Sequence, residues 1–314
     1  MTTPSATTAP ATTAEITDPR CGFVALIGAP NAGKSTLMNA LVGSHVSIVS
    51  PKVQTTRNRV LGIVVEGSAQ VVLIDTPGIF QSPKRRLERA MVQAAWTGAG
   101  DADAVALLFD ASRPNDAEAR ALLDRVAGLE RPKLLVLNKV DLVKRETLLG
   151  LAASLNEAAR FERTFMVSAL TGSGVDDVRR ALASHVAPGP WHYPEDQLAD
   201  MPMRLLAAEL TREQIFLQLH DELPYSAIVE TDRWEERPDG SARIDQTITV
   251  LRDSQKPIVI GAGGRRIKAI SQAARAAIAE QTGREVHLFL HVIVRDDWIE
   301  DRVRFRDLGL DYDV

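Results

Sequence analysis

Gly28-Ala29-Pro30-Asn31-Ala32-Gly33-Lys34-Ser35-Thr36 is the stretch on which the reading of this chain turns. It follows an apolar run, Phe23-Val24-Ala25-Leu26-Ile27, patterned as a buried strand. It precedes Leu37-Met38-Asn39-Ala40-Leu41-Val42, patterned as a helix that stops at Gly43. Strand, glycine loop and helix start together are the setting of a Walker A phosphate loop. Gly28 and Gly33 lack Cβ, so the backbone can curl and turn successive N–H groups inward. The positive end of the following helix faces the same hollow and favours an anion. There Lys34 reaches β- and γ-phosphates, and the Ser35 hydroxyl is placed to ligate Mg2+. A glycine-rich turn that happens to carry a lysine is the bland alternative, and it leaves both flanks unexplained. A nucleoside triphosphate site is expected over residues 28–36.

Working outward, His45-Val46-Ser47-Ile48-Val49 leads into a polar stretch from Ser50 to Asn58, before the strand pattern Val60-Leu61-Gly62-Ile63-Val64-Val65. A loop there can fold over a nucleotide. Of its threonines, Thr56 is the better candidate to complete a Mg2+ shell and act in catalysis beside Lys34. Val71-Val72-Leu73-Ile74 is the next buried strand, ending in Asp75-Thr76-Pro77-Gly78. A carboxylate at a strand's C-terminal end holds Mg2+ through water, and the Gly78 N–H meets the γ-phosphate. D-x-x-G matches turns everywhere; one strand pair after a phosphate loop it becomes specific. The segment from Ile79 to about Ala99 is expected to change conformation when the γ-phosphate leaves.

Strand and helix patterns then alternate: Val105 to Asp110, Asp116 to Ala127, and Leu134 to Leu137, ending in Asn138-Lys139-Val140-Asp141. N-K-x-D at the C-terminal edge of a parallel strand lies where α/β ligand sites sit. Asp141 can accept two hydrogen bonds from guanine, whereas adenine would leave the carboxylate unsatisfied at a cost of about 1–3 kcal/mol. Asn138 is expected at the guanine edge, with the Lys139 stem along the ring system. After a strand at Phe165-Met166-Val167, Ser168-Ala169-Leu170 offers backbone N–H groups to guanine O6. A helix from Val175 to His185 closes the first domain.

Length and composition agree. The 314 residues suit two domains, each able to bury a core. Hydrophobic content of 45% and charged content of 25% are ordinary for a soluble protein. No apolar run approaches the ~20 residues of a membrane span. The lone Cys21 excludes an internal disulfide, fits a reducing cytoplasm, and is expected as a small buried residue at a strand start. The first 19 residues, rich in Thr, Ala and Pro, lack the features of a secretory signal and read as a disordered tail. A net charge of −4 means that any basic, nucleic-acid-facing surface is local.

Prolines and polar residues from Ala187 to Pro202 read as a linker, with His192 as a packing anchor. A helix from Met203 to Asp221 and a hairpin across Pro238-Asp239-Gly240 follow. Ile258-Val259-Ile260 reads as an apolar strand ahead of Gly261-Ala262-Gly263-Gly264-Arg265-Arg266-Ile267-Lys268, where the next helix begins. A G-x-x-G loop at a helix start lets phosphates approach the backbone, and Arg265, Arg266 and Lys268 add charge, while Ile258 and Ile260 face bases. Val286 to Val294 reads as a last strand, and Arg295 to Arg306, of mixed sign, as a solvated face.

Five motifs in the fixed order of the G-domain now stand in register, and this half resembles a translation-factor-type GTPase. The G-x-P-N-x-G-K-S-T loop and D-T-P-G resemble the bacterial Era and Der group. The second half, with R-R-I-K after G-x-x-G, resembles a type II KH domain. G-domain, linker and KH domain together resemble the Era family of ribosome-assembly GTPases over roughly Gly22 to Tyr312. The implied fold is a P-loop α/β GTPase domain, its mostly parallel sheet covered by helices on both faces, followed by an α+β KH domain. The implied boundaries are 20–186, a linker over 187–202, and 203–314.

The implied function is GTP hydrolysis coupled to recognition of the single-stranded 3′ end of 16S ribosomal RNA, with the 30S subunit or its precursor as partner. The implied guanine-nucleotide contacts are Gly28 through Thr36, Asp75, Thr76, Pro77, Gly78, Ile79, Asn138, Lys139, Val140, Asp141, Ser168, Ala169 and Leu170. Those for Mg2+ are Ser35, Thr56 and Asp75. Ile79 stands where Ras-like proteins carry a water-orienting glutamine, so slow intrinsic turnover is expected. In some relatives the asparagine matching Asn31 helps bind K+. A monomer in the cytoplasm is expected; peripheral contact with the inner membrane also belongs to the resemblance, although no amphipathic anchor stands out. Rival readings are a metabolic kinase, which leaves N-K-x-D unexplained; an RNA chaperone with a vestigial nucleotide site; and a Der-like protein, which would carry a second phosphate loop.

Overall fold

The computed structural model describes residues 17–50, 60–76, 86–195, 197–219, 223–296, 298, 301–307 and 310–314. The tail over 1–16, Thr56, Pro77, Gly78 and Ile79 lie outside the described residues.

In the first half, β1 (Arg20–Gly28) leads through the glycine loop into α1 (Lys34–Val42). Then come β2 (Val60–Glu66), β3 (Ala69–Asp75), α2 (Arg86–Asp101), β4 (Ala104–Asp110) and α3 (Ala117–Ala127). They are followed by β5 (Lys133–Asn138), α4 (Arg145–Ala158), β6 (Arg163–Met166), α5 (Val175–His185) and β7 (Ala187–Pro188). The sheet order is β2-β3-β1-β4-β5-β6. Only β2 and the short β7, which pairs with Arg20 and Cys21, run antiparallel to their neighbours. A parallel sheet buried on both faces demands strands apolar throughout, and β3 and β4 are buried along their whole length. Alternation in β1 then feeds two cores. Val24 and Leu26 pack with Leu37, Met38 and Leu41 of α1 and Val178 and Leu182 of α5. Ala25 and Ile27 pack with Ala95 of α2, Leu122 and Val126 of α3, and Leu155 of α4.

α4 has no counterpart in the sequence reading. It buries only Leu148 and Leu155 of its 14 residues, so its apolar stripe is too narrow to show a helical period. The segment after β7 runs against the first module. Buried Gln70 accepts from His192 N and Tyr193 N at 2.9 and 3.0 Å, and its amide donates to Tyr193 O at 2.8 Å. His192 stacks on Phe23 with 5.5 Å between centroids, as a packing anchor should. Cys21 is only partly buried beside the same Gln70.

The second half is α6 (Met203–Gln218), β8 (Ala227–Glu236), β9 (Ala242–Val250), α7 (Gln255–Ile260), α8 (Arg265–Thr282), β10 (Val286–Val294) and α9 (Arg302–Asp307). Its sheet order is β10-β9-β8, with β10 parallel to β9. Ile270, Ala274 and Ile278, one helical turn apart, seat α8 on that sheet, while Ala208 and Ile215 seat α6.

Two expectations are corrected. Ile258-Val259-Ile260 is not a strand but the end of α7. A three-residue apolar run carries no period that separates strand from helix, and Pro257 sits in the first helical turn, where its missing N–H costs little. Arg295 to Arg306 is not simply a solvated face. Trp298 and Phe305 are each 2% exposed, and Phe305 and Leu310 form a cluster with Leu87, Ala90 and Met91 of α2. Tyr312 joins that cluster, edge-on to Phe305 and under the Arg86 guanidinium at 4.3 Å. Isolated aromatics within a run of charge give no period from which to infer this. Among the described residues no helix is long and apolar enough to cross a membrane.

Candidate functional site

The loop from β1 to α1 takes the conformations that its residue types allow. Gly33 has φ 98°, and a Cβ there would stand 2.2 Å from the Asn138 amide nitrogen. A Cβ on Gly28 would meet Leu108 O at 2.8 Å. These positions therefore require glycine. Lys34 is buried, and its ammonium donates to Gly28 O and Ala29 O at 2.9 and 3.1 Å. Burial pushes its pKa down to about 8, with the Asp75 carboxylate pulling the other way. A buried cation folded onto its own loop at a helix N-terminus is what an arriving phosphate would stabilise.

Asp75, fully buried at the end of β3, accepts from Ser35 Oγ at 2.9 Å on its Oδ2. A hydroxyl and a carboxylate meeting below a phosphate loop fit the oxygen-donor set that Mg2+ takes. The same Oδ2 accepts from Ser47 Oγ at 2.8 Å. Sequence reasoning missed Ser47; its only signal is a polar residue between the buried Val46 and Ile48. Thr76, also buried, donates to Leu26 O at 2.7 Å and closes the end of β3 against β1.

The N-K-x-D and S-A-L segments meet at one edge. Asn138, 2% exposed, donates to Ala32 O at 2.8 Å and accepts from Ala169 N at 3.0 Å. Asn138 thereby braces the phosphate loop against the S-A-L loop, and its NH2 group keeps a second N–H that can address a guanine edge. Lys139, with φ 62°, pairs with Asp110 at 2.6 Å, which fixes the course of its stem. Ser168 N and Ala169 N already donate to Ser173 O and Asn138 Oδ1, so of the three only the Leu170 N–H has no described acceptor. Leu170 is 82% exposed. Exposed Asp141 opens into a cleft of about 690 Å3 that Val140, Arg145, Leu149, Met166 and Ser168 also line. Arg145 and Leu149 come from α4 and were not foreseen.

In the second module Gly261 has φ 73° and ψ 167°, and a Cβ on it would lie 2.6 Å from Arg266 Cβ. Gly263 and Gly264 have φ 60° and 76°. Ala262, Gly263, Arg265, Arg266 and Lys268 are exposed, and Ile258 beside them is 47% exposed. Arg265 Nε and Arg266 Nη1 donate to Ala262 O and Ile258 O at 3.2 and 3.1 Å, which holds both guanidinium groups against the loop. Ile260 is half-buried. The result is a backbone cradle at the N-terminus of an 18-residue helix, rimmed with positive charge.

Comparison with known proteins follows the same division. Residues 23–139 match the family described as 50S ribosome-binding GTPase, and residues 222–299 match the KH domain family. The chain is 63% identical to the GTPase Era of Bradyrhizobium sp. (strain ORS 278) over 293 residues, 93% of this chain and 95% of that protein. It is 61% identical to the GTPase Era of Rhizobium meliloti over 93% of both chains. Among solved structures, an Aquifex aeolicus Era variant bound to GDP·AlF4− superposes with a TM-score of 0.87 at 34% identity, covering 94% of this chain and 100% of that one. An Era in complex with MgGDPNP and nucleotides 1506–1542 of 16S ribosomal RNA matches with the same TM-score, identity and coverage.

Proposed function

The chain belongs to the Era family of GTPases, and from that premise we propose that it is a nucleotide-driven switch binding the single-stranded 3′ end of 16S ribosomal RNA and assisting assembly of the 30S subunit. It hydrolyses GTP. Lys34 and the backbone of residues 28–36 bind and orient the phosphates, Asp141 reads the base, and Ser35 with Asp75 would hold Mg2+. Mg2+ bound there offsets charge on the β- and γ-phosphates. Without a glutamine after Gly78, water is oriented by backbone groups or by a partner, which keeps intrinsic hydrolysis slow.

The observation that carries the RNA reading is the Gly261–Gly264 cradle, with exposed Arg265, Arg266 and Lys268 and the exposed Ile258 beside it. Glycine backbone admits sugar-phosphate, guanidinium and ammonium groups neutralise it, and an apolar side chain meets unstacked bases. The test is crosslinking of the full chain to total RNA with GTP or GDP, followed by mapping. Sites concentrated at the 3′ end of 16S RNA are expected. Sites scattered over unrelated RNAs would overturn the assignment.

A further inference from the structure

We propose that Glu213, on α6 of the second module, is a positioning residue for the magnesium-binding carboxylate of the first. Glu213 is 6% exposed, and its Oε1 accepts from Val49 N at 2.7 Å and lies 3.2 Å from His45 Nε2. A carboxylate so buried needs such partners. Those two contacts clamp both ends of the segment 45–49. Its middle is clamped from the other side by Asn39 of α1. Asn39 Oδ1 accepts from Val46 N and Ser47 N at 3.0 and 2.9 Å, and its Nδ2 donates to Ser47 O at 2.6 Å. Between the clamps the Ser47 hydroxyl points at Asp75 Oδ2, the oxygen that Ser35 also addresses.

The chain of contacts therefore runs Glu213, Val49, Ser47, Asp75, from one module into the metal site of the other. Groups that hydrogen-bond a metal-binding carboxylate set its orientation, and losing one lowers metal affinity about 10-fold or more. Glu213 acts one step further out, so about fivefold is expected of it. A bare tie between modules would be indifferent to magnesium.

This rests on the GTPase site described above, and the test separates the two. Full-length wild type, E213A, E213Q, S47A and the E213A/S47A pair are compared by two measurements. One is amide exchange over residues 45–49 without nucleotide. The other is the Mg2+ concentration that half-slows release of a fluorescent GDP analogue. E213A is expected to expose the Val49 amide and raise the Mg2+ midpoint about fivefold. S47A should raise it at least as far, and the pair no further than S47A alone. E213Q keeps a carbonyl acceptor for Val49 and should restore most of both. If E213A does not fold, E213D, which withdraws the carboxylate by one methylene, is read in the same way. A Val49 amide exposed with the Mg2+ midpoint unmoved, or additive shifts in the pair, would overturn the role of Glu213. Wild-type release indifferent to Mg2+ would overturn the metal site itself.

Discussion

At Asn138 both ends of the amide tie loops together while a second N–H remains, and Asp141 stands exposed in its cleft as the carboxylate that can read the base. Asp141→Asn exchanges an acceptor for a donor against the guanine ring N–H and amine. A loss of about 1–3 kcal/mol in GDP affinity is expected, with xanthine nucleotides gaining, measured by competition against a labelled nucleotide. At Gly261 a side chain meets Arg266 Cβ at 2.6 Å in a backbone region that only glycine occupies readily. Gly261→Ala should therefore reshape the cradle and weaken RNA binding about 10-fold or more while GDP binding stays at the wild-type level; filter binding and nucleotide titration read the two separately. The glycines of both loops were legible because a conformational demand leaves a residue-type signature in the sequence. The brace made by Asn138 was not, since its partner Ala32 is 106 residues away and backbone carbonyls leave no such signature.

Among the elements, α6 and α8 bring Glu213 and Glu280 toward His45, and the hydrogen bond to Glu213 raises the imidazole pKa above its usual 6.5, partial burial opposing. A pKa raised by folding means that the protonated form is stabilised in the native state. The contribution is complete below pH 6.5 and fades as pH rises through the raised value. Wild type should therefore melt above His45→Gln at about pH 5.5, with the gap closing toward about pH 8.5 in parallel thermal scans. Elements with a wide apolar stripe, such as β1, β3, β4, α5 and α8, were legible from pattern alone. α4 was not, because it buries too little, and the end of α7 reads as a strand in sequence because a run of three residues fits either period. Residues 295–306 misled because single aromatics within charge carry no period, yet Trp298 and Phe305 are buried.

For the molecule as a whole, segment 45–49 reaches Asp75 of the phosphate site through Ser47, and both that segment and α2 touch the second module, through Glu213 and through Phe305 with Leu310. Nucleotide state and RNA affinity should then be linked by the 1–3 kcal/mol typical of such coupling. RNA is expected to bind about 5- to 150-fold tighter with a non-hydrolysable GTP analogue than with GDP; equal affinities in equilibrium titrations would reject the linkage. That two modules exist, and in which order, was legible because each carries its own motifs. How they touch was not, since those contacts join residues far apart in sequence. The cover over α2 has one more consequence, for biosynthesis. A ribosome makes α2 early and Phe305, Leu310 and Tyr312 only as the second module is being finished. The nascent first module thus emerges with Leu87, Ala90 and Met91 still bare, and α2 gains its lining only near the end of translation.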